Sequence, residues 1–310
     1  MNILSLINLI NKTILLFRSF GLVTFFRVWI IPKLESDAVK CERKKHKAVL
    51  KYLRDKYSSI ADKYQDVPIP AAKISSDCPI WICWFQGIEK APLIIRKCVE
   101  SVKRHSGNHS VVILTMDNFL EYCTMPDYII NKVKNQNITL THFSDILRNA
   151  LLSQKGGIWL DASIYLTSNY KLYNLPYQTI KQKKHDDGKF VSAYRWTGFC
   201  QAGVSGNPLN SFVYDMFLEY HKYEKELLDY YLIDYFMALG YDTIKVVKDM
   251  VNQIPYNNDD LYYIQKNMLK PYKKEEFENI KHQTSIFKIN QRVSSDDANS
   301  LYRHILNDDL

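Results

Sequence analysis

THFSDILRNALLSQKGGIWLDASIYL, residues 141–166, reads as a helix, a tight glycine turn and a strand that ends in an acid. Phe143, Ile146, Leu147, Ala150 and Leu151 recur at the three-to-four spacing of a buried helix stripe. Gly156-Gly157 stops that helix, because glycine takes the positive φ a carboxyl-terminal turn needs. Ile158, Trp159, Leu160, Ile164 and Tyr165 are strand-type residues in a nearly continuous apolar run, as in a strand covered on both faces. Asp161 falls inside that run. A carboxylate there must neutralise, find a cation, or lie where the strand opens into a cleft. Asp145 and Arg148, three apart, occupy the helix face opposite the stripe, and Leu152 shares it. That face is therefore not simply open to water.

Outward from this stretch the pattern alternates. PIWICWFQG (79–87) is a first buried strand, a helix follows at 92–105, and SVVILT (110–115) is a second strand. Strand, helix, strand, then helix and strand predicts an α/β fold with a parallel-rich sheet and ligands at strand carboxyl ends. Trp81 reads as core, whereas Trp84 stands where the first strand ends. Residues 178–190 are polar and read as a surface loop. Asn207 and Pro208 look like the cap and first position of a further helix. In DYYLIDYFMAL (229–239), Asp234 is embedded among aromatics, either as part of a core helix or as an acid facing a site.

The chain has 310 residues, 46% of them hydrophobic, enough for a substantial core with an appendage. Its net charge of +8 is unevenly placed: residues 1–66 hold thirteen Lys/Arg against six Asp/Glu, a difference of +7. A basic patch confined to one end points to an anionic surface, and no nucleic-acid-binding signature competes with that. Residues 1–31 are apolar but interrupted by Lys12, Arg18 and Arg27, so no uncharged run approaches the roughly 20 residues of a membrane span. Leu6, Leu9, Ile10, Ile14 and Phe17, with Leu22, Phe25, Phe26 and Trp29, could form one greasy face. That face suits either a helix in a membrane interface or a helix packed on the main domain. Residues 36–64 read as a second, strongly basic helix, striped by Val49, Leu50, Leu53, Tyr57 and Ile60, with Arg43, Lys44, Lys45 and Lys47 as headgroup contacts. DVPIP (66–70) is the linker, which divides the chain into a helical appendage (1–70) and a main domain (71–310). The six cysteines are scattered without a C-x-x-C pair and fit a reducing setting.

Ser144-Asp145-Ile146-Leu147-Arg148 followed by Gly156-Gly157-Ile158-Trp159-Leu160-Asp161 resembles the sugar-binding region of capsular polysaccharide synthesis glycosyltransferases. These are related to yeast initiating mannosyltransferases and, remotely, to clostridial glucosylating toxins. The likeness is strongest over 79–166, weaker over 190–290, and does not reach 1–75. It implies a GT-A-like nucleotide-sugar-binding sheet flanked by helices. Asp161-Ala162-Ser163 is similar to the family's Asp-x-Asp signature, with Ser163 where many relatives carry a second aspartate.

The resemblance implies a retaining hexosyltransferase working from a UDP-sugar, UDP-galactose or UDP-glucose, onto a lipid-linked saccharide at the cytoplasmic face of a bacterial membrane. Asp161 and Ser163 would hold Mn²⁺ or Mg²⁺, since a divalent ion on a diphosphate wants hard oxygen ligands. Trp84 would stack on the base, with Gln86 near the ribose. Asp145 and Arg148 would orient donor hydroxyls, Lys288 would neutralise phosphate, and Asp161 and Asp234 are the catalytic candidates. KHQTSIFKINQRV (281–293) resembles the family's closing loop and adds His282 and Ser285. A toxin-like protein glycosyltransferase and a non-catalytic assembly factor are the alternatives, and homo-oligomerisation stays open.

Overall fold

The chain forms α1 (Ile3–Phe25), α2 (Ala38–Asp62), β1 (Ile80–Cys83), α3 (Leu93–Arg104), β2 (Val111–Leu114), α4 (Phe119–Tyr122) and α5 (Asp127–Lys134). There follow α6 (Leu140–Gln154), β3 (Gly157–Leu160), β4 (Ile164–Leu166), β5 (Tyr177–Thr179), β6 (Cys200–Gly203), α7 (Pro208–Tyr223), α8 (Leu232–Thr243), α9 (Lys245–Gln253) and, near the end, β7 (Ile286–Lys288). This is a computed structural model, and it describes residues 3–310 apart from His185, with side chains from Ile10 onward. The side chains of Leu6 and Leu9, of the expected greasy face, and His185 of the expected loop lie outside what is described.

Five strands form one sheet in the order β2-β1-β3-β6-β5, with β1 parallel to β2 and β3, and β6 antiparallel to both neighbours. The sheet is thus mixed rather than parallel-rich. Successive strand residues face opposite ways. Ile80, Ile82, Ile158 and Leu160 join a core under α3 and the carboxyl-terminal segment. Trp81 and Trp159 join the other core, under α6, α7 and α8. Coverage of both faces is why these strands are apolar throughout. Of the expected surface loop, Gln178 and Thr179 belong to β5 at the buried edge of this sheet, and Ile180 and Gln182 beyond it are buried too.

Thr139 caps α6 by accepting from His142 N at 3.2 Å, and Asn207 caps α7 by accepting from Asn210 N at 3.0 Å. Gly156 (φ 69°) and Gly157 (φ 104°) make the turn into β3. A Cβ on Gly156 would lie 2.7 Å from Gly203 O, and one on Gly157 would lie 2.6 Å from Trp81 Nε1. The pair serves both conformation and close packing. The apolar run expected to continue past Asp161 divides there. After Leu160 the chain leaves the sheet, and β4 pairs antiparallel with β7 in a separate ribbon.

Helix α2 is integrated into the main fold: Val49, Leu53, Tyr57 and Ile60 are buried in the same core as α7 and α8. Lys45 pairs with Asp229 at 2.7 Å, Lys63 with Asp215 at 3.2 Å and Lys56 with the buried Glu224. Glu224 also accepts from Tyr52 at 2.5 Å and Tyr57 at 3.0 Å. Lys44 pairs with Glu35. Much of the basic charge of this helix is therefore answered within the molecule, and Lys44 and Lys45 are not free headgroup contacts.

Helix α1 is broken at Gly21 (φ 74°, ψ 166°) and continues as a π turn, Phe26–Ile30, and a 3-10 turn, Ile31–Leu34. Leu16, Phe20 and Val28 face inward, with Phe20 against Trp29 (5.4 Å between centroids) and Tyr52 (5.6 Å). Ile10, Ile14, Phe17, Leu22 and Phe26 of the expected face are exposed. Within Ile10–Leu34 an 18-residue window has a mean hydropathy of 1.8, so this stretch does meet the length and composition of a bilayer span despite its charges.

Candidate active site

Because β1 and β3 are parallel, they end side by side. Continuing their register sets Asp161 level with Cys83, and Trp84 one residue beyond. Asp161 N donates to Phe199 O and Ile164 N to Asp161 O, both at 2.9 Å, which fixes the Asp161-Ala162-Ser163 turn at the sheet's rim.

The Asp161 carboxylate, about a third exposed, is held from three directions. Its Oδ1 accepts from Arg148 Nη2 at 3.2 Å and Trp159 Nε1 at 3.0 Å. Its Oδ2 accepts from Lys288 Nζ at 3.1 Å, and the same ammonium donates to Ser163 Oγ at 2.7 Å. Arg148 is nearly fully buried. It also lies 3.2 Å from Asp145 Oδ1, donates to Gly198 O and sits 5.1 Å from the Trp159 ring centroid, while its Nε has no partner. Helix α6 supplies Asp145 and Arg148, the end of β3 supplies Asp161, and β7 supplies Lys288. Residues far apart in sequence thus meet on one rim.

Their ionisation is set by this crowding. Desolvation works against charge on Asp161, but Lys288 and Arg148 outweigh it and hold the acid below its ordinary range. Desolvation raises Asp145 to about 7, with Arg148 only partly opposing it and Asp161 and Asp234 adding to it. Desolvation likewise raises Asp234 to about 6, against the hydrogen bond from Trp196 Nε1 at 2.9 Å and the charge of Arg148. Asp145, Asp161 and Asp234 therefore share one electrostatic neighbourhood around Arg148.

Trp84 is half-buried at the strand end, while Trp81 is core and donates Nε1 to Gly156 O at 2.8 Å. Gln86 is exposed in the following turn, before Gly87 (φ 87°). His282 and Ser285 are not brought to the site. His282 is exposed at the end of the helix Lys274–Lys281, and Ser285 O accepts from Thr167 N, at the far end of the β4–β7 ribbon. Only Lys288 of that expected loop reaches Asp161. From sequence, Trp159 reads only as a strand residue and Trp196 is assigned no place in the site. Trp159 is two residues before Asp161, hence on the same strand face, a signal that could have found it; Trp196 had none.

The oxygens expected to ligate a divalent ion, on Asp161 and Ser163, both bond the Lys288 ammonium. Among the described residues no three His, Cys, Asp or Glu side chains gather as a metal site. A hard cation wants oxygen ligands free of a competing positive charge, so a carboxylate oxygen and a hydroxyl that both accept from one ammonium do not fit a resident divalent ion.

Fold and cluster together define an α/β protein, a helix-flanked sheet whose charged site lies where two parallel strands end. The chain belongs to the capsular polysaccharide synthesis protein family, whose model matches residues 31–305. That match takes in the whole of α2. A solved structure titled "PaToxG Glycosyltransferase" is similar over 69% of this chain and 85% of that one, at 16% identity and a TM-score of 0.38. No curated protein matches.

Between α6 and α7, His142 and His221 share an Nε2–Nε2 hydrogen bond of 2.9 Å, both buried, and His142 Nδ1 has no partner. Burial pulls His142 down to about 4 and His221 to about 2. The unfolded chain takes protons near 6.5 that the native pair refuses, so this pair loses stability as pH falls from 6.5 towards 4, by about 1.4 kcal/mol per pH unit per histidine. Raised Asp145 and Asp234 act oppositely: the native state binds their protons first, which stabilises it as pH falls below 7 and 6. Between pH 6 and 4 the two effects nearly cancel. Relative to the unmodified protein, His221→Gln is therefore expected to gain about 1.4 kcal/mol per pH unit on acidification across that window. Urea unfolding at several pH values reads this directly, and parallel profiles for the two proteins would refute it.

Proposed function

We propose that this chain is a GT-A-like glycosyltransferase that moves a hexose from a UDP-sugar, glucose or galactose, to a lipid-linked saccharide during capsular or surface polysaccharide assembly. The observation that carries this is the Arg148–Asp161–Lys288 cluster at the carboxyl ends of parallel strands, beside the half-buried Trp84. Family membership supplies the pathway. Cleaving a nucleotide sugar releases a diphosphate, so the site must meet growing negative charge with fixed positive charge. Lys288 is placed to do so.

Trp84 offers a flat face at the strand end for the base, and Gln86 stands exposed beyond it for the ribose. Asp145, poised near neutrality, can donate or accept towards a sugar hydroxyl, with Arg148 holding its position. Asp234, in the same electrostatic neighbourhood, is the acid we assign to positive charge developing on the sugar. We assign residues 71–310 the chemistry and residues 1–70 the contact with the cytoplasmic leaflet.

A screen of UDP-, GDP- and ADP-sugars for slow hydrolysis to the free nucleoside diphosphate tests the proposal, with UDP-hexose expected to score. In calorimetric titration, Trp84→Ala should weaken UDP binding by about 1–3 kcal/mol, the range for base–aromatic stacking. Equal affinity in two folded proteins would return Trp84 to the core, and silence across all donors would leave an assembly factor without transfer chemistry.

A further inference from the structure

We propose that Lys288 is the resident cation of the donor site, and that this chain binds its nucleoside diphosphate without a divalent metal. The inference rests on the donor reading above and changes its chemistry. Lys288 Nζ donates to Asp161 Oδ2 at 3.1 Å and to Ser163 Oγ at 2.7 Å, so one ammonium satisfies the two side chains that the Asp-x-Ser turn presents.

This lysine is not a loose surface chain. Its side chain is only 17% exposed, and Nζ lies 4.4 Å from the Phe199 ring centroid. Its backbone is fixed on both sides. Lys288 pairs with Ile164 across the ribbon, Lys288 N donates to Leu261 O at 2.8 Å, and Ile289 N donates to Ser163 O at 2.9 Å. The ribbon therefore delivers the ammonium to the same turn that carries Asp161 and Ser163.

Charge and ligand count agree with this. Arg148 and Lys288 place two cations against Asp161, and Asp145 shares only the Arg148 end, so the Lys288 end of the group stays positive, suited to a phosphate. A divalent ion in the same place would meet the Lys288 ammonium at short range, with the nearest carboxylate already paired to it. Ser163 brings no charge to hold such an ion. As a hydroxyl it accepts from the ammonium, which makes the serine a positioning residue for the lysine.

The test uses the full chain with UDP and Mn²⁺ as probes. UDP affinity, by calorimetry, is expected to agree within about twofold in chelator and in excess Mn²⁺, and the paramagnetic signal of Mn²⁺ added to the free protein should remain that of the free ion. In chelator, Lys288→Met should weaken UDP binding by tenfold or more, and Lys288→Arg, which keeps the charge, should retain most of it. Circular dichroism confirms that each variant is folded, and Lys288→Arg guards against a collapse specific to the apolar variant. A tenfold or larger rise in UDP affinity on adding Mn²⁺, or a folded Lys288→Met that binds UDP like the unmodified protein, would overturn the inference. If UDP binds under neither condition, the donor reading fails. The manganese signal then decides the lysine's hold on Asp161 and Ser163, since bound manganese overturns it and free manganese sustains it.

Discussion

Asp161→Asn is expected to reduce donor cleavage by about 10²–10³-fold and to lower stability by about 3–5 kcal/mol. The substitution keeps the shape and removes the charge. An asparagine amide has one acceptor and one donor end, yet Asp161 accepts on both oxygens, from Arg148 and Trp159 on one and Lys288 on the other. Whichever way the amide turns, an NH₂ faces a donor. Arg148, nearly fully buried, would keep only Asp145 as an acidic partner. Asp145 would then be drawn towards ionisation, because the guanidinium beside it has lost its other acid. Ser163→Ala removes only the hydroxyl that accepts from Lys288 and should cost about 0.5–1.5 kcal/mol. Urea unfolding and donor hydrolysis of both variants check the ranking. An Asp161→Asn protein as stable and active as the original would mean that the carboxylate is not the cluster's centre.

The helix, glycine turn and acid of 141–161 could be read from sequence because each is a local matter. Stripe spacing, positive φ and an acid in an apolar run need no knowledge of the rest of the chain. Leu152 on the Asp145–Arg148 face correctly marked that face as covered, since Leu152 is fully buried and Arg148 nearly so. What local pattern could not show was where the strand stops. Ile164 and Tyr165 look like a continuation of β3, yet they pair with β7, more than a hundred residues later. That pairing is what brings Lys288 to Ser163, so the ammonium between the two presumed ligands was invisible from the turn itself. The same holds for α2. Its basic residues read as free charge because Asp215, Glu224 and Asp229, which answer Lys63, Lys56 and Lys45, lie far along the chain.

That correction changes how the amino-terminal segment should meet a membrane. Reversing Lys44 or Lys45 would break pairs with Glu35 and Asp229, and so would test packing. The surface left over is apolar: Ile14, Leu22 and Phe26 are 42%, 57% and 46% exposed on the expected greasy face. Lys12, Arg18, Arg27 and Lys33 border it and make no ion pair with an acid among the described residues. The Gly21 break turns the segment back over α2 through Phe20 and Trp29, which suits lying in an interface. Burying each such side chain fully is worth about 1.5–3 kcal/mol, and roughly half of that surface remains to be buried here. Ile14→Glu, Leu22→Glu and Phe26→Glu together should therefore weaken binding to anionic vesicles by about 2–5 kcal/mol, on the order of 100-fold or more. Salt should weaken the unmodified protein's binding only partly, since about 1 kcal/mol per bordering basic residue is screened while the apolar part is not. Hydrolysis of a soluble donor should survive the triple change, because none of these residues lies near Asp161. Transfer to a membrane-embedded acceptor should fall with the binding. An unmodified protein that ignores anionic vesicles at low salt would instead make this face a contact between protein surfaces.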